Sequence, residues 1–357
     1  MRLQLLPIAW LIAVLVTACP GGSSHRSGAT QPARTSKQPN AYIATLAIAM
    51  AATESDPWTS EIIATIGDEL QIDPWAKATS NGHLDVYGPY EVVLDDSPAK
   101  LSIALSGIAG ISDPEGQIAL GHEVRDWLDE QQPHLVWLDG DQLQLRVGQE
   151  LSDEQNILFT GVTIDREAFY NTQKRATGVY RRHSLPRVLG EIWSIKPEAK
   201  LFALLCDDSP LSISRVLKFK EYEAALPEDQ GMRVMSPVTT WHELEDQLRE
   251  IEEQVDAAII CGVGDEHGSL ELREQDCPDD LLADIEIPVV VLGSSRADYC
   301  GALVLGINPA AHAKAALELA RKIFKSSDPR ALPTVTPDEM TAFRSERGFS
   351  ESLSNVE

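Results

Sequence analysis

Cys19 closes the tetrad Val16-Thr17-Ala18-Cys19, which directly follows the apolar run Leu5 to Val16. Cleavage before a cysteine in this position leaves its thiol free for lipid attachment. The run is shorter than the about 20 residues an ordinary membrane span needs, and with Arg2 ahead and small residues behind it has the layout of a secretory signal. Residues 1–18 therefore read as a lipoprotein signal peptide. The mature chain is expected outside the cytoplasm, tethered to a membrane through lipid on Cys19.

Other reactive patterns lead away from catalysis. Cys206, Cys261, Cys277 and Cys300 have none of the paired short spacings of a zinc site. Cys206 and Cys261 end apolar runs and read as buried thiols, while Cys277 and Cys300 lie in polar surroundings where an oxidising compartment permits a disulfide. Gly262-Val263-Gly264-Asp265-Glu266-His267-Gly268 brushes against a dinucleotide fingerprint, but its last glycine is displaced by one residue, so it reads as a turn at a strand end. His242-Glu243 lacks a second histidine one helical turn on, and no nucleophile elbow or phosphate loop occurs. We expect no enzyme activity, no catalytic residue, no metal and no cofactor.

The elements that would position any site alternate between strand and helix. Short apolar runs recur at Ile43 to Met50, Leu101 to Leu105, Leu135 to Leu138, Ile157 to Thr160, Leu201 to Cys206, Ala257 to Cys261, Pro288 to Leu292 and Ala302 to Gly306. Between them lie segments of helical period. In the clearest, Trp241, Leu244, Leu248, Ile251 and Val255 share one face, and Thr240 with Glu243 makes a capping box. Asn308 followed by Pro309 opens another, running to Phe324. This is the pattern of parallel sheets with helical crossovers. Pro74 to Pro98 has no firm period and is left open.

Charge separates the leash from the body. Residues 19–40 are built of Pro, Gly, Ser, Thr and Gln, a composition that cannot bury enough surface to order itself, and read as a disordered tether. The whole chain has a formal net charge of −25; Arg2, Arg26, Arg34 and Lys37 have no acidic companion before residue 41, so residues 41–357 carry −29. Such a polyanion excludes nucleic acid as a partner. Carboxylates in this excess suit salty surroundings, where screening limits self-repulsion.

From about Asn156 to Leu332 several segments carry a family resemblance. They are Phe159-Thr160-Gly161-Val162-Thr163, Ala176-Thr177-Gly178-Val179-Tyr180, the helix and strand from Leu189 through Pro197 to Cys206, Thr240 to Asp265, Ile287 to Leu292, Gly301-Ala302-Leu303, and the helix to Phe324 with Leu332-Pro333. In this order and spacing they resemble the extracytoplasmic substrate-binding proteins of a bacterial ABC importer class, whose better-known members bind aromatic amino acids. The first lobe matches less closely: the family's small, hydroxyl-rich loop is replaced by Asp139-Gly140-Asp141-Gln142.

The resemblance implies an α/β type I periplasmic-binding fold of two lobes, each a parallel sheet flanked by helices. Residues 41–163 with about 301–328 would form lobe 1, and 164–300 with about 329–350 lobe 2. A ligand would lie between loops at the carboxyl ends of the strands. Candidate contacts there are Asp139, Asp141, Thr163, Tyr180, Asp207, Ser209, Ser212, Asp265, Ser294, Ser295 and Tyr299. The aspartates suit a ligand amino group, the serines hydrogen bonding, and the tyrosines stacking on a flat ligand. The implied partners are a small organic ligand of the amino-acid kind and an ABC permease. The alternative is a ligand-free interaction lipoprotein docked on an envelope enzyme or sensor. The expected place is the periplasmic face of the cell envelope; Pro20, where an Asp would favour inner-membrane retention, leans toward the outer membrane of a Gram-negative cell.

Overall fold

The computed structural model describes residues 44–76, 78–81, 83–111, 113–208, 210–224, 226–261, 282, 284–293, 303–325 and 328–344. The chain from Ile43 onward forms one compact unit. Within it, strand β1 (Ala44–Met50) shows how pattern becomes position: Leu46, Ile48 and Met50 enter one apolar cluster, and Ala47 and Ala49 enter the cluster on the opposite face. Successive residues alternate between faces, so bulk on one side and alanine on the other set how closely helices approach.

Helix α1 (Pro57–Leu70) follows β1. Strands β2 (Ala78–Asn81), β3 (Leu84–Leu94) and β4 (Ser97–Leu105) come next, then helix α2 (Pro114–Gln131) and strands β5 (Leu135–Asp139), β6 (Asn156–Val162) and β7 (Ala176–Tyr180). The seven strands form one sheet in the order β2-β3-β4-β1-β5-β6-β7. Strands β4 to β7 in that order pair parallel, while β2 and β3 add an antiparallel extension. Helix α3 (Leu185–Ile195) opens the second lobe. Strand β8 (Leu201–Cys206), helix α4 (Pro210–Glu223), β9 (Gly231–Val234), helix α5 (Trp241–Ile251), β10 (Ala257–Cys261), β11 (Val289–Gly293) and β12 (Leu303–Ile307) continue it. Helix α6 (Pro309–Phe324) returns to pack beside α1, and β13 (Met340–Arg344) closes the second sheet, ordered β13-β12-β11-β10-β8-β9.

Several helices begin where the sequence provides a cap. Asp56 Oδ2 accepts from Thr59 N at 2.8 Å with Pro57 in the first turn, and Asn308 Oδ1 accepts from Ala311 N at 3.1 Å with Pro309 in the first turn. At α5 the Thr240 hydroxyl accepts from Glu243 N at 3.1 Å. Glu243 Oε2 reaches one residue further back than a standard capping box, accepting from Thr239 N at 2.7 Å. That hydrogen bond, with a second from the Thr239 hydroxyl at 2.9 Å, holds the Glu243 carboxyl below its ordinary range.

The open stretch 74–98 holds β2, all of β3 and the first two residues of β4. Leu84, Tyr87, Tyr90, Val92 and Leu94 face the core, but the register slips between Tyr87 and Tyr90. That slip breaks the period of two, which is why alternation is not legible there.

Two expectations are corrected. The lobe boundaries expected at 163 and about 301 fall elsewhere, because β7 pairs with β6 in the first sheet and β12 pairs with β11 in the second. The chain therefore crosses at 180–185, at 307–309, and again after Val335, whose N–H donates to the Gly178 carbonyl at 2.9 Å. Cys206 and Cys261 are not buried thiols but a disulfide. They stand opposite each other on neighbouring parallel strands, Cα to Cα 4.8 Å, within bridging reach. Cys19, Cys277 and Cys300 lie outside the described residues. Among the described residues, no helix is long and apolar enough to cross a membrane.

Candidate ligand site at the lobe crossover

The carboxyl ends of β5 and β6 bring Asp139, Asp141 and Thr163 together. Asp139 is buried, and its carboxylate accepts from the Thr160 hydroxyl at 2.5 Å, which accepts in turn from Trp137 Nε1 at 2.7 Å. Burial pushes the Asp139 carboxyl up to about 6, against the opposing pull of the Thr160 hydrogen bond and the Arg181 charge. Gly161 makes room for it. At φ +65° the β6 backbone bends past the carboxylate, and a Cβ there would stand 2.7 Å from Asp139 Oδ1.

Asp141 serves Thr163. Its Oδ2 accepts from the Thr163 hydroxyl at 2.5 Å and its Oδ1 from Thr163 N at 3.2 Å, a strut between the loops after β5 and β6. Thr163 is the end of that strut nearest the cavity described below.

Tyr180 does not offer a ring to a ligand. Arg182 lies over it at 3.9 Å from the centroid, Phe159 packs at 5.3 Å, and the phenol oxygen accepts from Arg166 N at 2.9 Å. Its backbone is equally engaged, the carbonyl accepting from His312 Nε2 at 2.9 Å. Tyr180 is a core residue of the first crossover, and the expected stacking role is corrected accordingly. In the second lobe Asp207 is buried at the end of β8 in a parallel bridge with Val238. Ser212, fully buried, points its hydroxyl at the Cys261 carbonyl 3.4 Å away, tying α4 to β10. Ser209, Asp265, Ser294, Ser295 and Tyr299 lie outside the described residues.

Apart from Thr163, sequence reasoning missed the residues that surround a cavity of about 220 Å³ at the crossover. Thr163 comes from the end of β6, Arg181, Arg182 and His183 from the first crossing, Leu185 and Pro186 from the start of α3, and Thr336 from the third crossing. Helix α4 contributes Arg215, Lys218, Phe219 and Tyr222. Their spacing of three, four and seven residues puts them on one helical face, a signal present in the sequence. Arg182 Nε donates to the Thr163 carbonyl at 2.8 Å, and its Nη2 lies 2.9 Å from Asp165 Oδ1. Lys218 Nζ reaches Asp165 Oδ2 from the other lobe at 3.0 Å. Partial burial alone would raise the Asp165 carboxyl, but the hydrogen bonds from Lys218 and Arg182 outweigh it and hold the group below its usual range.

No protein-family model matches the chain, and no curated protein matches it. Among solved structures it is similar to the ligand-free, open form of a substrate-binding protein with adhesive properties from Clostridium difficile. That likeness has 14% identity over 85% of this chain and 92% of the other, with a TM-score of 0.58. An ABC domain from Streptococcus pneumonia in complex with L-Trp has 13% identity over 84% and 91% of the two chains, TM-score 0.48. A solute-binding protein of an ABC transporter from Rhodopseudomonas palustris in complex with 3,4-dihydroxybenzoic acid has 12% identity over 80% and 81%, TM-score 0.47. Two helix-flanked sheets joined by three crossings, together with the first of these likenesses, define the type I periplasmic-binding fold.

Proposed function

We propose that this chain is an extracytoplasmic lipoprotein, anchored through Cys19, that captures a small organic solute between its lobes and delivers it to an ABC importer. The observation that supports this most directly is the cavity at the crossover, because its lining comes from both lobes and from two of the three crossing segments. A solute seated there touches the parts that must move relative to one another when such a fold closes. Its binding energy is thereby coupled to closure. At about 220 Å³ the cavity lies below the roughly 300–1,000 Å³ of drug-sized pockets, which suits a metabolite of modest size.

The test is calorimetric titration of the full-length chain in mild detergent with amino acids, nucleosides, sugars and small organic acids. At least one should bind and also raise the unfolding temperature, since a ligand specific for the folded state at a hundredfold excess over its Kd adds about 2.7 kcal/mol. No binding by any of them, with an envelope protein co-purifying on the tagged chain, would replace solute capture by a docking role.

A further inference from the structure

We infer that Lys218 is the moving part of an ionic latch, which holds the two lobes together while its ammonium contacts Asp165 and lets them part when the ammonium is left to Glu221. The inference concerns the balance between two arrangements of the lobes and holds whether or not a solute is captured.

The latch has a fixed half on the first lobe. Asp165 follows β6, and its carboxylate is gripped on one side, Oδ1 lying 2.9 Å from Arg182 Nη2. Arg182 is itself held: its Nε donates to the Thr163 carbonyl at 2.8 Å, and its guanidinium carbon lies 3.9 Å from the centroid of the Tyr180 ring. Thr163 is braced in turn by Asp141. All of these groups belong to the first lobe or to the start of the first crossing. Asp165 is therefore positioned without help from the second lobe, and its Oδ2 is the oxygen presented to α4.

The moving half is on α4. Lys218 Nζ stands 3.0 Å from Asp165 Oδ2 and also 3.0 Å from Glu221 Oε2, three residues further along the same helix. Hydrogen bonds to Glu221 and to Asp165 raise the Lys218 ammonium above its ordinary value, so it stays charged in either position. When the lobes separate, the contact to Asp165 breaks, whereas the contact to Glu221 travels with the helix, because residues three apart share a face. The ammonium keeps a counter-ion throughout, and Glu221, no longer sharing it, offsets part of what is lost. The Asp165 side chain is 45% exposed and that of Glu221 68%, so the contact between lobes is the less screened of the two and favours the joined arrangement. Contacts this exposed are weak, so the latch biases an equilibrium instead of freezing it. Thr163, Arg182 and Lys218 all line the crossover cavity, so parting the latch opens its wall.

Pulsed dipolar electron spin resonance on the full-length, solute-free chain in mild detergent reads the balance. Spin labels are attached to genetically encoded ketone residues in place of the exposed Glu130 near the end of α2 and the exposed Glu250 in α5, which leaves every cysteine native. Asp165→Asn and Lys218→Gln should each lower the ratio of the short-distance to the long-distance population about two- to fivefold, the scale of partly exposed ion pairs. The double variant should fall no further than either single one, since both remove the same contact. Lys218→Arg should keep the native ratio. Glu221→Gln should shift the ratio the other way, because Asp165 then has the ammonium to itself. Unfolding midpoints check that each variant is folded. A ratio unchanged by Asp165→Asn and Lys218→Gln, a double variant in which the two effects add, or a Glu221→Gln shift in the same direction as Lys218→Gln overturns the latch.

Discussion

The guanidinium carbon of Arg181 lies 4.2 Å from the centroid of the Trp58 ring. This contact fastens the first crossing to the first turn of α1. On another side of the same indole stands His312 of α6, ring centroids 5.2 Å apart and edge-on, with its Nε2 on the carbonyl of Tyr180 next to Arg181. Two crossings and the start of α1 thus converge on one tryptophan. Cation–π contacts contribute about 0.5–2 kcal/mol depending on desolvation. Arg181 is therefore held in place before any ligand arrives.

Asp139 is where charge and stability couple. Its folded-state value is raised from 3.8 to about 6, so between those pH values the folded protein binds more protons than the unfolded chain. Stability from this group is greatest below about pH 4 and falls as pH rises through about 6. The shift corresponds to a cost on the order of 3 kcal/mol at neutral pH. Asp139→Asn, which keeps an acceptor for Thr160, should raise stability at pH 7 by up to about that amount and have little effect near pH 3.5. Denaturant unfolding of both proteins across this range measures it. A stability difference independent of pH would mean that Asp139 is not the group that titrates.

The Cys206–Cys261 disulfide closes a loop between residues 55 apart in sequence, linking the ends of β8 and β10. Chain-entropy arguments give such a loop about 4 kcal/mol of stabilisation. Non-reducing peptide mapping should recover a fragment joining Cys206 to Cys261, and reductant should lower the unfolding midpoint of the native chain. The double variant Cys206→Ala with Cys261→Ala should melt lower and ignore reductant. A native chain that melts identically with and without reductant would contradict the bond.

What could be read from the sequence follows from how local each signal is. The apolar runs at Leu135, Leu201 and Ala257, and the caps at Thr240 and Asn308, act over a few residues and are all found as strands and helix starts. β3 was illegible because its register slip scrambles the alternation. Tyr180 followed a recognisable motif, yet its neighbours Arg182 and Phe159 were set by tertiary packing. The cysteine pairing required knowing that β8 and β10 are adjacent, which needs the sheet order. The cavity is the least local feature, since its lining runs from Thr163 to Thr336 and converges only through the crossings. Only the α4 face of Arg215, Lys218, Phe219 and Tyr222 announced it in one dimension.

The tether rests on residue type alone. Cys19→Ser removes the thiol that a lipid would occupy, so the variant should fail to incorporate a labelled fatty acid and should accumulate as uncleaved or mislocalised precursor. Label incorporation by the Ser variant, together with its recovery in membranes, would show that the anchor lies elsewhere.

Salt should act on folding through the excess of carboxylates. The chain carries 55 acidic against 30 basic residues, so at low ionic strength like charges repel across the folded surface. Screening shortens the reach of that repulsion to about 10 Å at 0.1 M and about 3 Å at 1 M. The unfolding temperature should therefore rise between about 0.05 M and about 0.5 M sodium chloride. Thermal unfolding in parallel buffers measures it. An unfolding temperature that ignores salt would mean that the surface carboxylates are already locally paired.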